Sequence, residues 1–312
     1  MDSSILVTGS HRSGTTWVGK MLSCIPHVAY IDEPFRPDQR PGIFDAGIDR
    51  WFAYVPDYDE ERIRVEVEKL AEFGYSLSAE IKALASVRDA LRMGHDIVRF
   101  SINRMRSKRV LLKDPIAVLS SAWLASEFDI RVVVMVRHPA AFAYSLKRKG
   151  WTFPFDHLLT QRRLMEHLLE PFAGEIEKYA SRPQPIIKQA SLLWAVIYHS
   201  VSQFLDQHPD WILVRHEDLA RNPVDEFQDL YARLELPYTT VAQRTIAESS
   251  RSENPTEPKK KAKDVQRDSR GLIGRWKSAL SEQEICNIRK KTKSIANKWY
   301  NSSDWILSET WG

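Results

Sequence analysis

A glycine-rich segment near the start of the chain carries the residue types needed to bind an anion. It runs from Gly9 to Trp17 as Gly-Ser-His-Arg-Ser-Gly-Thr-Thr-Trp, directly after an apolar run and directly before a helical pattern. Glycines permit a tight turn, successive backbone N–H groups can converge on one ligand, and a helix amino terminus adds positive potential. The segment therefore predicts a binding site for a phosphate or sulfate group.

The same segment differs from the loop of nucleotide triphosphatases at a position that their chemistry requires. Gly9 and Gly14 have the spacing Gly-x-x-x-x-Gly, but Thr15 stands where that loop has lysine, and the cation is Arg12 instead. Another apolar run ends in Arg137, where a triphosphatase needs an aspartate to hold magnesium. A magnesium-dependent kinase or other phosphotransferase is disfavoured on these grounds and is kept as the alternative.

Arg137 and Ser145 form a second candidate anion site. Arg137 ends an apolar run, and Ser145 follows on a predicted helix. The guanidinium offers a fork of donors and the hydroxyl offers one more, so both can converge on a phosphate. Two such sites at one edge of a sheet indicate a ligand with two phosphate groups, and we expect them to lie about a nucleoside's width apart.

Together these segments resemble the sulfotransferases that use 3'-phosphoadenosine-5'-phosphosulfate (PAPS) as donor. Residues 12–17 are similar to the family's 5'-phosphosulfate loop, in which Lys or Arg precedes Ser-Gly-Thr-Thr. The resemblance implies nucleotide contacts for Arg12 at the oxygen between phosphate and sulfate, for Ser13, Gly14, Thr15 and Thr16 at the 5'-phosphate, and for Trp17 at the adenine.

The resemblance extends to three later segments. Arg137 and Ser145 match the family's element for the 3'-phosphate. Residues 270–277, Arg-Gly-Leu-Ile-Gly-Arg-Trp-Lys, are similar to a Gly-x-x-Gly-x-Trp-Lys segment that closes over the nucleotide. This similarity implies contacts for Arg270, Gly271 and Trp276, and His216 stands where the family often has a tyrosine beside the adenine.

The proposed chemistry, in-line transfer of a sulfuryl group to a hydroxyl, also needs a general base. Glu33 follows a weak apolar run and precedes a proline, which disfavours helix there and predicts a turn at a strand end. A carboxylate in such a pocket can accept a proton near neutral pH, and some branches of the family use a Glu in this region. Asp114 is the competing base, and Lys113 is expected to assist at the transferring group.

Five short apolar runs must position these residues, namely 5–7, 28–31, 110–112, 132–136 and 211–214. They are aliphatic almost throughout and do not alternate, as expected for parallel strands covered on both faces. Helical patterns lie between them, which predicts a three-layer α/β fold with a central parallel sheet.

We expect one domain over residues 1–312, with insertions at about 36–105 and 151–205. The second insertion reads as wholly helical, and both are predicted to form helical caps on the acceptor side of the site. A polar segment at about 249–269, which includes the basic run 259–263, is predicted to be a mobile loop.

Composition limits the partners. The chain has 312 residues, of which 43% are hydrophobic and 28% charged, as in ordinary globular proteins. The net charge of +4 is modest and the basic residues are spread out, so no nucleic-acid partner is expected. No apolar run approaches the ~20 residues of a membrane span. Cys24 and Cys286 have neither metal-ligand nor redox spacing, so we expect no metal and a cytoplasmic location.

The acceptor is the least constrained part of the hypothesis. Aromatic residues such as Trp51, Phe52 and Trp151 could stack on a sugar, a lipid or a phenol. A glutamate base favours the hydroxyl of a carbohydrate or glycolipid. The sequence is also compatible with a homodimer.

Overall fold

The computed structural model describes residues 3–106, 108–255, 265–266 and 268–306. Five strands are present: β1 Ser4–Gly9, β2 Val28–Asp32, β3 Arg109–Lys113, β4 Ile130–Val136 and β5 Ile212–Arg215. The α-helices are α1 Thr15–Leu22, α2 Glu60–Ala71, α3 Leu77–Ala83, α4 Val87–Met105, α5 Ser121–Glu127, α6 Pro139–Lys149, α7 Asp156–Leu159, α8 Arg162–Leu164, α9 Ala173–Ser181, α10 Ile186–Gln207, α11 His216–Arg221, α12 Pro223–Arg233, α13 Thr240–Ser249, α14 Arg275–Ala279 and α15 Glu282–Ala296.

The strands form one parallel sheet in the order β2-β3-β1-β4-β5. β1 lies in the middle, with Ile5 opposite Leu111 of β3 and Leu6 opposite Val132 of β4. Because all strands run the same way, their carboxyl ends meet at one edge. In open α/β sheets ligands bind outside this edge, so the residues that follow β1 to β5 are brought towards one another.

Alternate residues of each strand serve two separate cores. In β4, Val132 and Val134 pack into one core with α6 and α10, whereas Val133 and Met135 pack into the other with α1 and α12. β-Branched and aliphatic residues on both faces are what a sheet covered on both sides requires. The predicted three-layer α/β fold and all five predicted strands are confirmed.

The two insertions contain helices, but only in part as expected. Residues 36–105 hold an irregular entry followed by α2, α3 and α4. Residues 151–205 are not continuously helical, because short elements alternate with bends until α10 begins at Ile186. α10 also differs from a cap: Trp194 and Tyr198 are fully buried against the sheet, so this helix belongs to the core.

Much of the predicted mobile loop, including its basic run, lies outside the described residues. Before it, α13 ends at Ser249, and after it a short 3₁₀ turn covers Arg270–Leu272. Further on, Ser281 caps the amino terminus of α15 through a capping box shared with Glu284. Over the described part of the chain, we find no helix with the length and apolarity needed to span a membrane.

Candidate active site

The glycine-rich loop has the backbone geometry of an anion cradle. Gly14, immediately before α1, has φ of 105°, and Arg12 in the loop has φ of 66°. A Cβ on Gly14 would lie 2.6 Å from Nδ1 of His216, so a side chain is excluded there both by conformation and by space. The loop thus passes closely beneath His216 and delivers the amino end of α1 to the sheet edge.

Side chains from distant elements hold this loop in shape. The Ser13 hydroxyl donates to the Ser10 carbonyl at 2.6 Å. The Ser10 hydroxyl lies 3.0 Å from that of Tyr198 on α10, and Tyr198 donates to the carbonyl of Met135 at 2.8 Å. The loop is therefore tied to β4 through α10, which makes it pre-organised for a ligand.

The two predicted anion sites are in direct contact. Arg12 Nε donates to the Ser145 hydroxyl at 3.0 Å, and Arg137 Nη1 donates to the Arg12 carbonyl at 2.7 Å. The Arg12 guanidinium also lies over the Trp151 ring, 5.5 Å from its centroid. The side chains at one edge of the sheet therefore include Arg12, Arg137 and Ser145. The sequence predicts that the two anion sites lie about a nucleoside's width apart, but the Arg12 side chain reaches from the first site to Ser145 in the second.

One cleft collects most of the residues singled out from the sequence. Its described lining is Arg12, Gly14, Thr15, Thr16, Trp17, Arg137, Tyr144, Ser145, Arg148, His216, Ser249, Val265, Ser269, Leu272 and Arg275. Four of these are arginines and none is a carboxylate. Ser13, also in the loop, is buried and does not belong to this lining. Such a lining, at the amino terminus of a helix, has the electrostatic character of a site for a polyanion.

Two buried nitrogen atoms in this cleft have no hydrogen-bond partner among the described residues: Nε of Arg137 and Nδ1 of His216. Burial lowers the pKa of Arg137, and the nearby Glu217 carboxylate opposes this shift. Burial, and then the Arg137 charge, lower the pKa of His216 well below its ordinary value, so its imidazole is neutral at pH 7. Unpaired buried polar atoms are rare in native proteins, and a cleft-lining pair indicates a missing ligand.

Trp17 and His216 form an aromatic corner at one end of the cleft. Their ring centroids are 6.3 Å apart in an edge-to-face arrangement. Trp17 Nε1 donates to the Ser249 hydroxyl at 3.0 Å, which fixes the indole orientation. This corner offers the flat surface that a purine base would need.

The C-terminal segment contributes to the cleft through other residues than predicted. Trp276 is 2% exposed and stacks on His138 with centroids 4.8 Å apart, so it lies in the core. Arg270 turns outward and donates to the Arg221 carbonyl, while the Gly271 amide is held by Asp268. Ser269, Leu272 and Arg275 line the cleft instead. Helical geometry accounts for the difference between Arg275 and Trp276. Adjacent residues of α14 point about 100° apart, so only one of these two neighbours can face the cleft.

Glu33 and Lys113 meet, although neither lines the cleft. Lys113 is 2% exposed, and its ammonium lies 2.5 Å from Glu33 Oε1 and 2.6 Å from Asp32 Oδ1. Glu33 follows β2 with φ of 49°, and its amide donates to the Lys113 carbonyl at 2.8 Å. Lys113 therefore holds two carboxylates at the sheet edge. Its predicted assistance at the transferring group stays a prediction.

Asp114 has a structural role in this arrangement. It is fully buried, and its carboxylate accepts hydrogen bonds from the amides of Phe35, Ile116 and Ala117. Burial raises the pKa of Asp114 to about 7, while the Phe35 amide opposes the shift. With three backbone donors already bound, this carboxylate ties the segment after β2 to the segment after β3. Its position argues against a role as the base.

Sequence reasoning missed several lining residues and the braces behind them. Tyr144 and Arg148 share α6 with Ser145, and Arg148 stands three residues after it, on the same helix face. That spacing was available as a signal. The Tyr198 brace was not, because it joins positions 188 residues apart.

His138 makes folding sensitive to acid. It is 3% exposed, and burial, followed by the Lys277 and Arg215 charges, lowers its pKa to about 3. The unfolded imidazole protonates below about pH 6.5. His138 therefore favours the unfolded state increasingly as the pH falls from 6.5 towards 3, with a slope approaching ~1.4 kcal/mol per pH unit.

We expect the free energy of unfolding to fall between pH 7 and pH 5 in urea titrations. His138→Phe retains a ring against Trp276 and cannot titrate, so its pH dependence should be shallower by about one proton. Equal slopes for the two proteins would show that His138 is not responsible.

Comparison with known proteins agrees with this geometry. A sequence profile described as the sulfotransferase family matches residues 4–240. No curated relative matches. A solved sulfotransferase domain from the curacin biosynthetic pathway shares the fold, with a TM-score of 0.54 at 16% identity over 96% of this chain and 97% of that one.

Two further solved structures are less similar. One is the sulfotransferase domain of the Synechococcus PCC 7002 olefin synthase, with 14% identity, a TM-score of 0.47 and coverage of 96% of this chain and 97% of that one. The other is sulfotransferase STF9 from Mycobacterium avium, with 14% identity, a TM-score of 0.46 and coverage of 96% and 77%. These two scores are too low to add to the fold argument. The family profile spans all five strands of the sheet and the whole glycine-rich loop, and this chain belongs to the sulfotransferase family of transferase enzymes.

Proposed function

We propose that this sulfotransferase moves a sulfuryl group from PAPS to the hydroxyl group of an acceptor, with Glu33 as general base. The observation that carries the proposal is the cleft at the amino end of α1, whose described lining holds four arginines and no carboxylate. PAPS carries its phosphate and sulfate charges at the two ends of a nucleoside. Arg137 Nε and His216 Nδ1, which have no hydrogen-bond partner among the described residues, supply donor or acceptor capacity that such a ligand would use.

The loop residues are assigned to the 5' end of the donor. The α1 amino terminus, with Thr15 and Thr16, would hold the 5'-phosphate. Arg137 and Ser145 would hold the 3'-phosphate, and the corner of Trp17 and His216 would receive the adenine. For both assignments to hold, the Arg12 side chain must release the Ser145 hydroxyl. That hydroxyl would then donate a hydrogen bond to the 3'-phosphate.

Bound PAPS supplies an activated sulfuryl group and leaves as 3'-phosphoadenosine-5'-phosphate (PAP). The Glu33 carboxylate would accept the acceptor's hydroxyl proton as that oxygen bonds to sulfur and the bond from sulfur to the phosphate oxygen breaks. Arg12 would stabilise the charge that develops on the departing phosphate. Lys113 would hold Glu33 in place through their contact at 2.5 Å.

Backbone strain supports these two assignments. Arg12 and Glu33 are two of the five described non-glycine residues with positive φ. Such conformations cost on the order of 1–3 kcal/mol and concentrate at functional sites. Here they fall on the residues assigned to the leaving group and to the acceptor.

The donor assignment is tested by calorimetry against the kinase alternative. The cleft should bind PAP without any added metal, and ATP with magnesium should bind more weakly, because Thr15 replaces the lysine that ATP enzymes use. Titrations of PAP in the presence of EDTA, and of ATP with magnesium, give the two dissociation constants. Tighter binding of ATP with magnesium would overturn the proposal in favour of a phosphotransferase.

For the acceptor, a glutamate base favours a carbohydrate or glycolipid hydroxyl over a phenol. The aromatic rings around the loop agree with an organic acceptor, since Trp151 is 46% exposed beside Arg12 and His11. Transfer of radiolabelled sulfate from PAPS to a set of hydroxyl compounds identifies the class directly.

A further inference from the structure

A second cavity, of about 730 Å³, lies on the other side of the Glu33 segment. It is enclosed by residues 31–43 and by α4, and it shares no described lining residue with the nucleotide cleft. Asp32 lines it, and Asp32 contacts the same Lys113 ammonium that holds Glu33. The cavity therefore begins beside the proposed base, where an acceptor has to lie.

Arginine dominates the wall that α4 provides. Arg88, Arg92, His95 and Arg99 line the cavity at spacings of four, three and four residues, which places them on one helix face. In total, five arginines and three aspartates line the described cavity. The arginines therefore exceed the aspartates by two, which gives this part of the lining an excess of two positive charges. No Phe, Tyr or Trp belongs to that described lining, so a neutral sugar ring would find no large aromatic surface to stack on there.

Part of this charge is already neutralised within the wall. Asp96 is buried and forms ion pairs with Arg40 and with Arg99, the latter at 3.2 Å. Arg36 pairs with Asp38 at 2.5 Å. Arg99 Nε nevertheless has no hydrogen-bond partner among the described residues. These ion pairs neutralise charge in the inner wall of the cavity. The positive charge of the wall is therefore least neutralised at the amino-terminal half of α4.

Arg88 and Arg92 occupy that half. Arg92 has a carboxylate at 3.7 Å, that of Asp89, and within the described ranges no carboxylate lies within 4.0 Å of the Arg88 guanidinium. Leu91, between them in sequence, adds an apolar contact to the same lining. Guanidinium groups bind carboxylate, sulfate and phosphate through paired hydrogen bonds. The pair therefore forms an anion-recognition site that is open to a ligand.

We propose that this cavity is the acceptor site and that the acceptor carries an anionic group, bound by Arg88 and Arg92, in addition to the hydroxyl directed towards Glu33. The inference rests on the proposed function and narrows it, because it selects anionic acceptors over neutral ones. Uronates, sugar phosphates and anionic glycolipids share this chemistry.

The test measures transfer of radiolabelled sulfate to acceptors assembled in pairs, each a uronate, sugar phosphate or anionic glycolipid with its neutral parent. We expect kcat/KM to favour the anionic member of the best-used pair by about ten-fold or more. Comparison among the three kinds of pair identifies the anion. In the double variant Arg88→Gln, Arg92→Gln the preference should disappear through a higher KM for the anionic member.

Arg104→Gln is the matched control, since Arg104 is an exposed arginine of α4 outside the cavity lining. It should keep the preference. Equal use of both members, preference for neutral members, transfer to none of them, or a double variant that keeps the preference would each overturn the inference. PAP titration of the same samples separates the two proposals: intact PAP binding in those cases leaves the donor assignment standing, whereas lost PAP binding would contradict the proposed function itself.

Discussion

Glu33→Gln should lower kcat for sulfuryl transfer by roughly 10²- to 10⁴-fold, the range that a general base contributes. The amide cannot take the acceptor proton, yet it preserves the shape of the carboxylate. Folding should survive, because Asp32 remains 2.6 Å from Lys113 and keeps that buried ammonium paired. PAP affinity should change little, since Glu33 does not line the nucleotide cleft.

Single-turnover assays with PAPS and the best acceptor measure this effect, and PAP titration measures the binding. Asp49→Asn is a suitable control, because Asp49 is a carboxylate that is 65% exposed, pairs with Arg50 at 3.2 Å and belongs to the described lining of neither the cleft nor the acceptor cavity. It should leave kcat within a few-fold of wild type. If Glu33→Gln also retained kcat within about five-fold, a different group would have to be the base.

Arg137→Met should weaken PAP binding by about 10- to 100-fold, the effect of losing a hydrogen bond to a charged group. The affinity for AMP, which has no 3'-phosphate, should fall by a much smaller factor. The reason is that Arg137 lines the cleft where the 3'-phosphate is proposed to bind, and that its Nε has no hydrogen-bond partner among the described residues. Wild type should therefore discriminate strongly between PAP and AMP, and the variant weakly.

Arg137 also donates to the Arg12 carbonyl, so its loss could act through the loop. Ser145→Ala provides the comparison, because it removes one proposed phosphate contact and leaves that carbonyl bond intact. It should reduce PAP affinity by a smaller factor and again spare AMP. Equal losses for PAP and AMP in Arg137→Met would mean that the residue shapes the loop and does not recognise the 3'-phosphate.

The strands and the anion loop could be predicted because their signals are local. Runs such as 132–136 are β-branched on both faces, and only a strand buried on both sides accommodates that pattern. The loop could be predicted as well, since Gly14 has a positive φ just before a helix, a conformation that glycine adopts readily. Both features depend on residues that are close together in the sequence, so the local sequence pattern is enough to predict them.

The rest of the site depends on contacts between distant positions. Arg12 and Ser145 are 133 residues apart, and nothing near either one indicates that their side chains meet. The pairing of Lys113 with two carboxylates of β2 and its turn likewise follows from strand order, which local pattern does not determine. Trp276 was assigned to the nucleotide because its neighbours resemble a binding segment, but packing against His138 decides its place.

The central position of β1 has a consequence for how the chain is made. β1 leaves the ribosome before both of its partner strands, which lie on the order of 100 residues later in the chain. Until they emerge, an apolar strand has no edge to join and is open to wrong associations. Biogenesis should therefore be slow and dependent on chaperones, and PAP added during refolding should help only after β3 and β4 have enclosed β1.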